Sequence, residues 1–163
     1  MGKKGGEQTG ANPTDRGKPC SKYHLIVDRN GIPSAVYLSA ANAHDSTLLV
    51  PLVDAIPSII GPRGKPGRPR KRPAKLHADK AYDSSDLRCG LRARSITPRI
   101  ARRGVDSSER LGRYRWVVER TFFWLLGCCR LGVRYERRAD LLQGFLHLAC
   151  ALICLTFLAP TTT

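Results

Sequence analysis

Two carboxylates in this chain stand where chemistry could use them. Glu119 is the sole acid in the run RWVVERTFFWLL, Arg115 to Leu126, and helical spacing puts Arg115, Trp116, Phe122 and Phe123 three or four residues from it. A carboxylate buried among aromatics costs several kcal/mol unless compensated, so Glu119 is expected to be protonated, paired with Arg115 or bound to a metal ion. Arg115 precedes Glu119, the weaker orientation for such a helical pair, which contributes only about 0.2–0.5 kcal/mol. Asp79 follows Leu76-His77-Ala78, a short predicted strand. Ligands gather at the C-terminal ends of strands in α/β sheets, which makes Asp79 a candidate metal-binding carboxylate, with a turn aspartate as the plainer alternative.

The elements that must position these groups can be read in order. Residues 1–21 are rich in Gly, Lys and Pro without apolar period and predict a flexible basic segment. KYHLIVD (22–28) and IPSAVYLSA (32–40), joined through Asn30-Gly31, predict a β-hairpin. Asp45 or Ser46 then caps a helix with apolar positions Leu48, Leu49, Leu52, Val53 and Ile56, disturbed by Pro51. After Asp79, Asp83 or Ser84 opens a helix over 84–94, followed by a strand over 95–103, a polar loop and the Glu119 helix. The apolar run 139–159 is long enough to cross a membrane, but Gln143 and His147 lie inside it and it follows a basic domain; packing across a sheet is expected instead.

Charge narrows the partner. With 28 Lys+Arg against 13 Asp+Glu the net charge is +15, and so basic a surface usually serves a polyanion, most often nucleic acid. An anionic membrane surface or RNA would fit the same charge, although no aromatic RNA-stacking motif is visible. The stretch 61–75, GPRGKPGRPRKRPAK, has seven basic residues and no acid. It predicts a solvated loop whose Arg63, Lys65, Arg68, Arg70, Lys71 and Arg72 contact phosphates with steep salt dependence. Arg130, Arg134, Arg137 and Arg138 form a second basic group. The six cysteines show no CxxC pair, and the N-terminus carries no signal-peptide core; they read as reduced cytosolic thiols, with His147, Cys150 and Cys154 packing in the core.

ADKAYDS around Asp79, RWVVERTFFWL around Glu119, GIPSAVYLSAANAHDSTLL and RYERRADLLQGFLHLACALI together resemble the catalytic domain of bacterial DDE-type insertion-sequence transposases, in the branch joining families four and five. The likeness runs from about Gly17 to Leu158. It implies an α/β, ribonuclease H-like core over 22–159, with a short tail at 160–163, that carries out DNA transposition by phosphodiester cleavage and strand transfer. It also implies two divalent ions, Mg2+ or Mn2+, on Asp79 and Glu119, with Arg115 as the signature arginine. DNA, as transposon ends and target, is the implied partner; a homodimer and no membrane association are expected, in the cytoplasm at the nucleoid.

The signature departs in two places. Gly112 stands at its tyrosine position, and Leu126 at its lysine position, so Arg130 is expected to supply that DNA contact. The resemblance also places the family's first catalytic aspartate on a strand upstream of the region matching GKKGGEQTG. The expected core is therefore N-terminally incomplete, its first central strand missing, with the chain acting as the C-terminal part of a transposase, inactive alone and completed by an upstream reading-frame product. A non-catalytic DNA-binding remnant is the alternative.

Overall fold

A computed structural model describes residues 6–61, 67–102 and 109–158, the side chains of 109–114 excepted. The fold is mixed α/β and divides into two compact units, residues 1–44 with 116–163, and residues 45–115.

In the first unit, β1 (Gly10–Ala11), β2 (Pro19–Val27) and β3 (Pro33–Ala40) form an antiparallel sheet in that order. The long pairing runs from Ser21 opposite Ala40 to Val27 opposite Pro33, with an irregularity at Ile26/Val27. The turn between β2 and β3 is built by Asp28, whose carboxylate accepts from the backbone N–H groups of Asn30 and Ile32, both at 2.8 Å. Gly31 closes it at φ +90°, a conformation that favours glycine. Three helices follow in this unit: the part of α3 (Glu109–Leu126) from Trp116 onward, α4 (Cys129–Gly132) and α5 (Ala139–Leu158).

One stripe of α5, Leu142, Leu146, Ala149 and Ile153, is buried with Val36 and Leu38 of β3, Leu125 of α3 and Leu131 of α4. Spacings of three and four make that stripe a single helical face. Gln143 donates to the Val36 carbonyl at 2.9 Å, so α5 also covers the outer edge of β3. The helix is long and apolar enough to cross a membrane, with a mean hydropathy of 2.1, yet this stripe lies on the sheet as expected.

The α3 helix is fixed to the hairpin turn. Thr121, fully buried, donates its hydroxyl to the Gly31 carbonyl at 2.8 Å, and Arg120 donates to the Asn30 carbonyl. A Cβ at Gly31 would lie 2.7 Å from Nη2 of Arg120 and 3.1 Å from Oγ1 of Thr121, so a side chain there would have to displace the Arg120 guanidinium.

In the second unit, α1 (Ser46–Asp54) packs on α2 (Ser85–Ala93), and α2 on a two-stranded parallel sheet of β4 (Lys75–Ala78) and β5 (Thr97–Ile100). Leu49, Leu52, Val53, Leu76, Leu91, Ile96 and Ile100 are buried here. Asp54 and Arg94 tie α1 to α2 through two hydrogen bonds of 2.8 and 2.7 Å. The Arg94 bonds draw the Asp54 carboxyl below its ordinary value. Pro51 lies inside α1 without ending it.

The flexible segment expected over 1–21 differs from what its described residues do. Residues 6–21 hold β1 and the start of β2, and Arg134 reaches across to the Glu7 carbonyl at 2.7 Å and the Thr9 hydroxyl at 2.9 Å. Glu7 in turn accepts from the backbone of Ala139 at 3.1 Å. The tail at 160–163 lies outside the described residues.

Replacing Thr121 with Val should leave the Gly31 carbonyl buried without its partner and destabilise the protein by about 1–3 kcal/mol in chemical denaturation. A change of only a few tenths would show that the clasp between helix and turn contributes little.

Candidate functional site

β4 delivers Asp79 at its C-terminal end, the residue after Ala78. One carboxylate oxygen accepts from the backbone N–H of Lys80 at 2.5 Å, heading a short 3-10 turn over Lys80–Tyr82; the other lies 3.6 Å from Nη1 of Arg115. The turn role and the exposed position coexist, since 43% of the Asp79 side chain remains accessible. Arg115 therefore stands beside Asp79.

Tyr82 sits close behind. Burial, followed by the nearby carboxylates of Asp45 and Asp79, pushes its hydroxyl up to about 12. The carboxylates of Asp45 and Asp79 thus both act on the Tyr82 hydroxyl, an influence that reading Asp45 as a helix cap missed. It does head α1, but with helical backbone angles and no side-chain cap bond. The sequence signal was there in His44-Asp45 at the strand-to-helix junction. Arg88 secures the segment after Asp79, gripping Asp83 at 2.6 and 3.1 Å and the Ile100 carbonyl at 2.9 Å.

Glu119 belongs to the first unit and is exposed. The buried face of α3 is Val117, Thr121 and Leu125; Trp116, Glu119, Phe123 and Leu126 lie on the opposite, exposed side. This corrects the expectation of a carboxylate sunk among aromatics. Those aromatics share its helical face as predicted, but the face is open to solvent.

The expected phosphate contacts separate. Arg68, Arg70, Lys71 and Arg72 are exposed, and the backbone of Arg70 bridges to Ile59 at 2.8 and 2.9 Å. Arg63 and Lys65 lie outside the described residues. Arg130 is held by Glu136 at 2.8 Å, with its guanidinium 5.8 Å from the Phe145 ring centre. Burial raises the Glu136 carboxyl, but hydrogen bonds from Arg130 and the backbone outweigh it and leave it below its ordinary value. Arg138 pairs with Asp140, and Arg134 serves the N-terminal segment.

Hard divalent cations take carboxylate and water oxygens, and Asp79 and Glu119 are donors of that kind open to solvent. Among the described residues no three His, Cys, Asp or Glu side chains are gathered as a metal cluster. The His147, Cys150 and Cys154 face holds no such group either. Burial pushes the Cys150 thiol up to about 11, and His147 meets Gln143 at 3.1 Å.

Residues 2–154 match the family model described as "Transposase DDE domain". The chain is 51% identical over 150 residues to the "Putative transposase for insertion sequence element IS402" of Burkholderia cepacia, covering 92% of this chain and 70% of that protein. It is 27% identical over 128 residues to the "Transposase for insertion sequence element IS1106" of Neisseria meningitidis serogroup B, covering 72% of this chain and 38% of that one. No solved structure matches the chain.

Because the hydroxyl of Tyr82 is raised in the fold, its neutral form is favoured. That contribution to stability is complete below the ordinary value of 10.0 and is lost as pH rises through about 12. In tyrosinate absorbance, taken as the difference from Tyr82→Phe, Asp79→Asn should move this ionisation down by removing a repelling charge. No movement would show that the Asp79 carboxylate does not face Tyr82.

Proposed function

The chain belongs to the transposase DDE domain family, and from that premise we propose that Asp79 and Glu119 are the carboxylates with which it cuts and joins DNA strands. The observation that carries this reading is the placement of Asp79: an accessible carboxylate at the end of a parallel strand, held by Lys80 N–H and Arg115. Glu119 supports it as a carboxylate presented outward from a helix locked in register by Thr121.

In this reading Asp79 and Glu119 hold Mg2+ or Mn2+. Two such ions would activate an attacking water or 3′-hydroxyl and stabilise the leaving oxygen of the phosphodiester. The chain's own groups do the positioning. Arg115 orients Asp79 or takes up a phosphate, and Arg68, Arg70, Lys71 and Arg72 follow the DNA backbone as an exposed cationic strip. Transposon ends and target DNA are the substrates, and joining two ends favours action as a dimer.

A ribonuclease H-like core completed by a further strand is supported by the sheets themselves. Among the described residues β4 has a strand neighbour on one side only, and β2 beyond its first two residues is likewise an edge. Open edges of this kind invite strand addition. A cooperative thermal transition together with metal-dependent DNA cleavage by the 163-residue chain alone would refute incompleteness. The second reading, a basic DNA-binding protein without the chemistry, is supported by the exposed Arg68, Arg70, Lys71 and Arg72.

In the chain joined to the strand that completes its core, Glu119→Gln and Asp79→Asn should each reduce metal-dependent cleavage of a transposon-end duplex to background while leaving DNA affinity within about twofold. Lys71→Ala should lower affinity evenly across sequences and reduce the salt slope by about 1. Duplex binding without cleavage even by that completed protein would support the second reading.

A further inference from the structure

Between α1 and β4 the chain leaves the packed body of its unit. Ile56 and Leu76 are buried, whereas every described residue from Pro57 to Arg72 is exposed. The outgoing and returning limbs are held together by their backbones. The N–H of Ile59 donates to the Arg70 carbonyl at 2.8 Å, and that of Arg70 to the Ile59 carbonyl at 2.9 Å. Such a closed antiparallel pair sets the side chains of Ile59 and Arg70 on one face of a narrow ribbon, and strand alternation turns Ile60 to the other.

Two isoleucines stand out in this arm. Ile59 and Ile60 are 54% and 78% exposed, so neither serves the core. The other described residues from 57 to 72 are Gly, Pro, Ser, Lys and Arg, and no acid occurs between Asp54 and Asp79, so the arm offers unbroken positive charge to a polyanion. Lys71 and Arg72 help to lower the Asp54 carboxyl at the end of α1, which places them at the base of the arm. One step beyond the Ile59–Arg70 pair stand Ile60 on one limb and Pro69 on the other, with Arg68 and Arg70 either side of Pro69. An apolar tip flanked by arginines suits the minor groove. That groove is only about 6 Å wide, so side chains enter it before a ribbon does, and an apolar wedge opens it by unstacking a base step. Isoleucine is stiff at χ1 and loses little freedom on insertion.

We propose that Ile60 is a wedge that enters a base-pair step of duplex DNA from the minor groove, with Arg68 and Arg70 lying in the groove beside it. This rests on the DNA reading above and deepens it: the arm bends the duplex it grips and selects sites by ease of deformation. Pyrimidine–purine steps such as TA unstack most readily and are therefore the favoured points of entry.

The test uses the chain joined to the strand that completes its core, without divalent metal. Duplexes of about 20 base pairs carry dyes at both ends for resonance energy transfer; one has a central TA step and the other reverses it to AT. Binding should raise transfer on the TA duplex, reporting a bend of about 20–90°. By anisotropy the TA duplex should bind about tenfold more tightly than the AT duplex. Ile60→Ala replaces an exposed side chain and should keep the thermal midpoint while losing both the bend and the preference; Ile60→Leu should keep both. Undiminished bending by Ile60→Ala, equal affinity of the unmodified protein for the two duplexes, or binding of the TA duplex without bending would overturn the wedge and leave the DNA reading standing. Failure to bind either duplex at low salt would overturn both.

Discussion

The hydrogen bond from the buried Thr121 hydroxyl to the Gly31 carbonyl is the constraint on which the first unit depends. A turn carbonyl enclosed by protein must find a donor, and here the donor is one turn of helix from the residues that face solvent. Gly31 adopts a φ of +90° that side chains disfavour, while Asp28 holds the turn in shape from the other side. Sliding α3 by even one residue would break the bond and rotate the helix by about 100°. The fit thus decides that Val117, Thr121 and Leu125 point inward and that Trp116, Glu119 and Phe123 point outward.

A different means fixes Asp79. Its place follows from the end of β4, the backbone N–H of Lys80 and the neighbouring Arg115. Arg88 then prevents the next segment from wandering by joining Asp83 to the β5 backbone. The two candidate carboxylates are therefore presented by rigid elements, as precise chemistry demands. Membership of the transposase family accounts for DNA transposition as the general function, whereas the roles of individual side chains rest on their chemistry.

Local chemistry made much of the fold legible. Asn30-Gly31 announced the hairpin, and the apolar run 139–159 announced α5 (Ala139–Leu158). The N-terminal segment was not legible because its order comes from Arg134, more than a hundred residues downstream, and from strand pairing of only two residues in β1. The face of α3 was misjudged for a related reason. Its buried side contains a threonine and its open side two large aromatics, so hydrophobicity alone points the wrong way; the carbonyl of Gly31 explains the threonine. Asp79 was readable from its strand end, but the influence it shares with Asp45 on Tyr82 depends on tertiary packing that no local pattern records.

What we propose, that Asp79 and Glu119 both serve as ligands to divalent metal ions, is open to one direct test. Iron(II), substituted for magnesium and supplied with ascorbate and peroxide, produces hydroxyl radicals that cut the polypeptide next to the bound ion. The account predicts cuts clustered near both residues, appearing at the same iron concentration and suppressed together by excess Mg2+, and both lost in Asp79→Asn and in Glu119→Gln alike. Cuts at one residue that survive substitution of the other would contradict it.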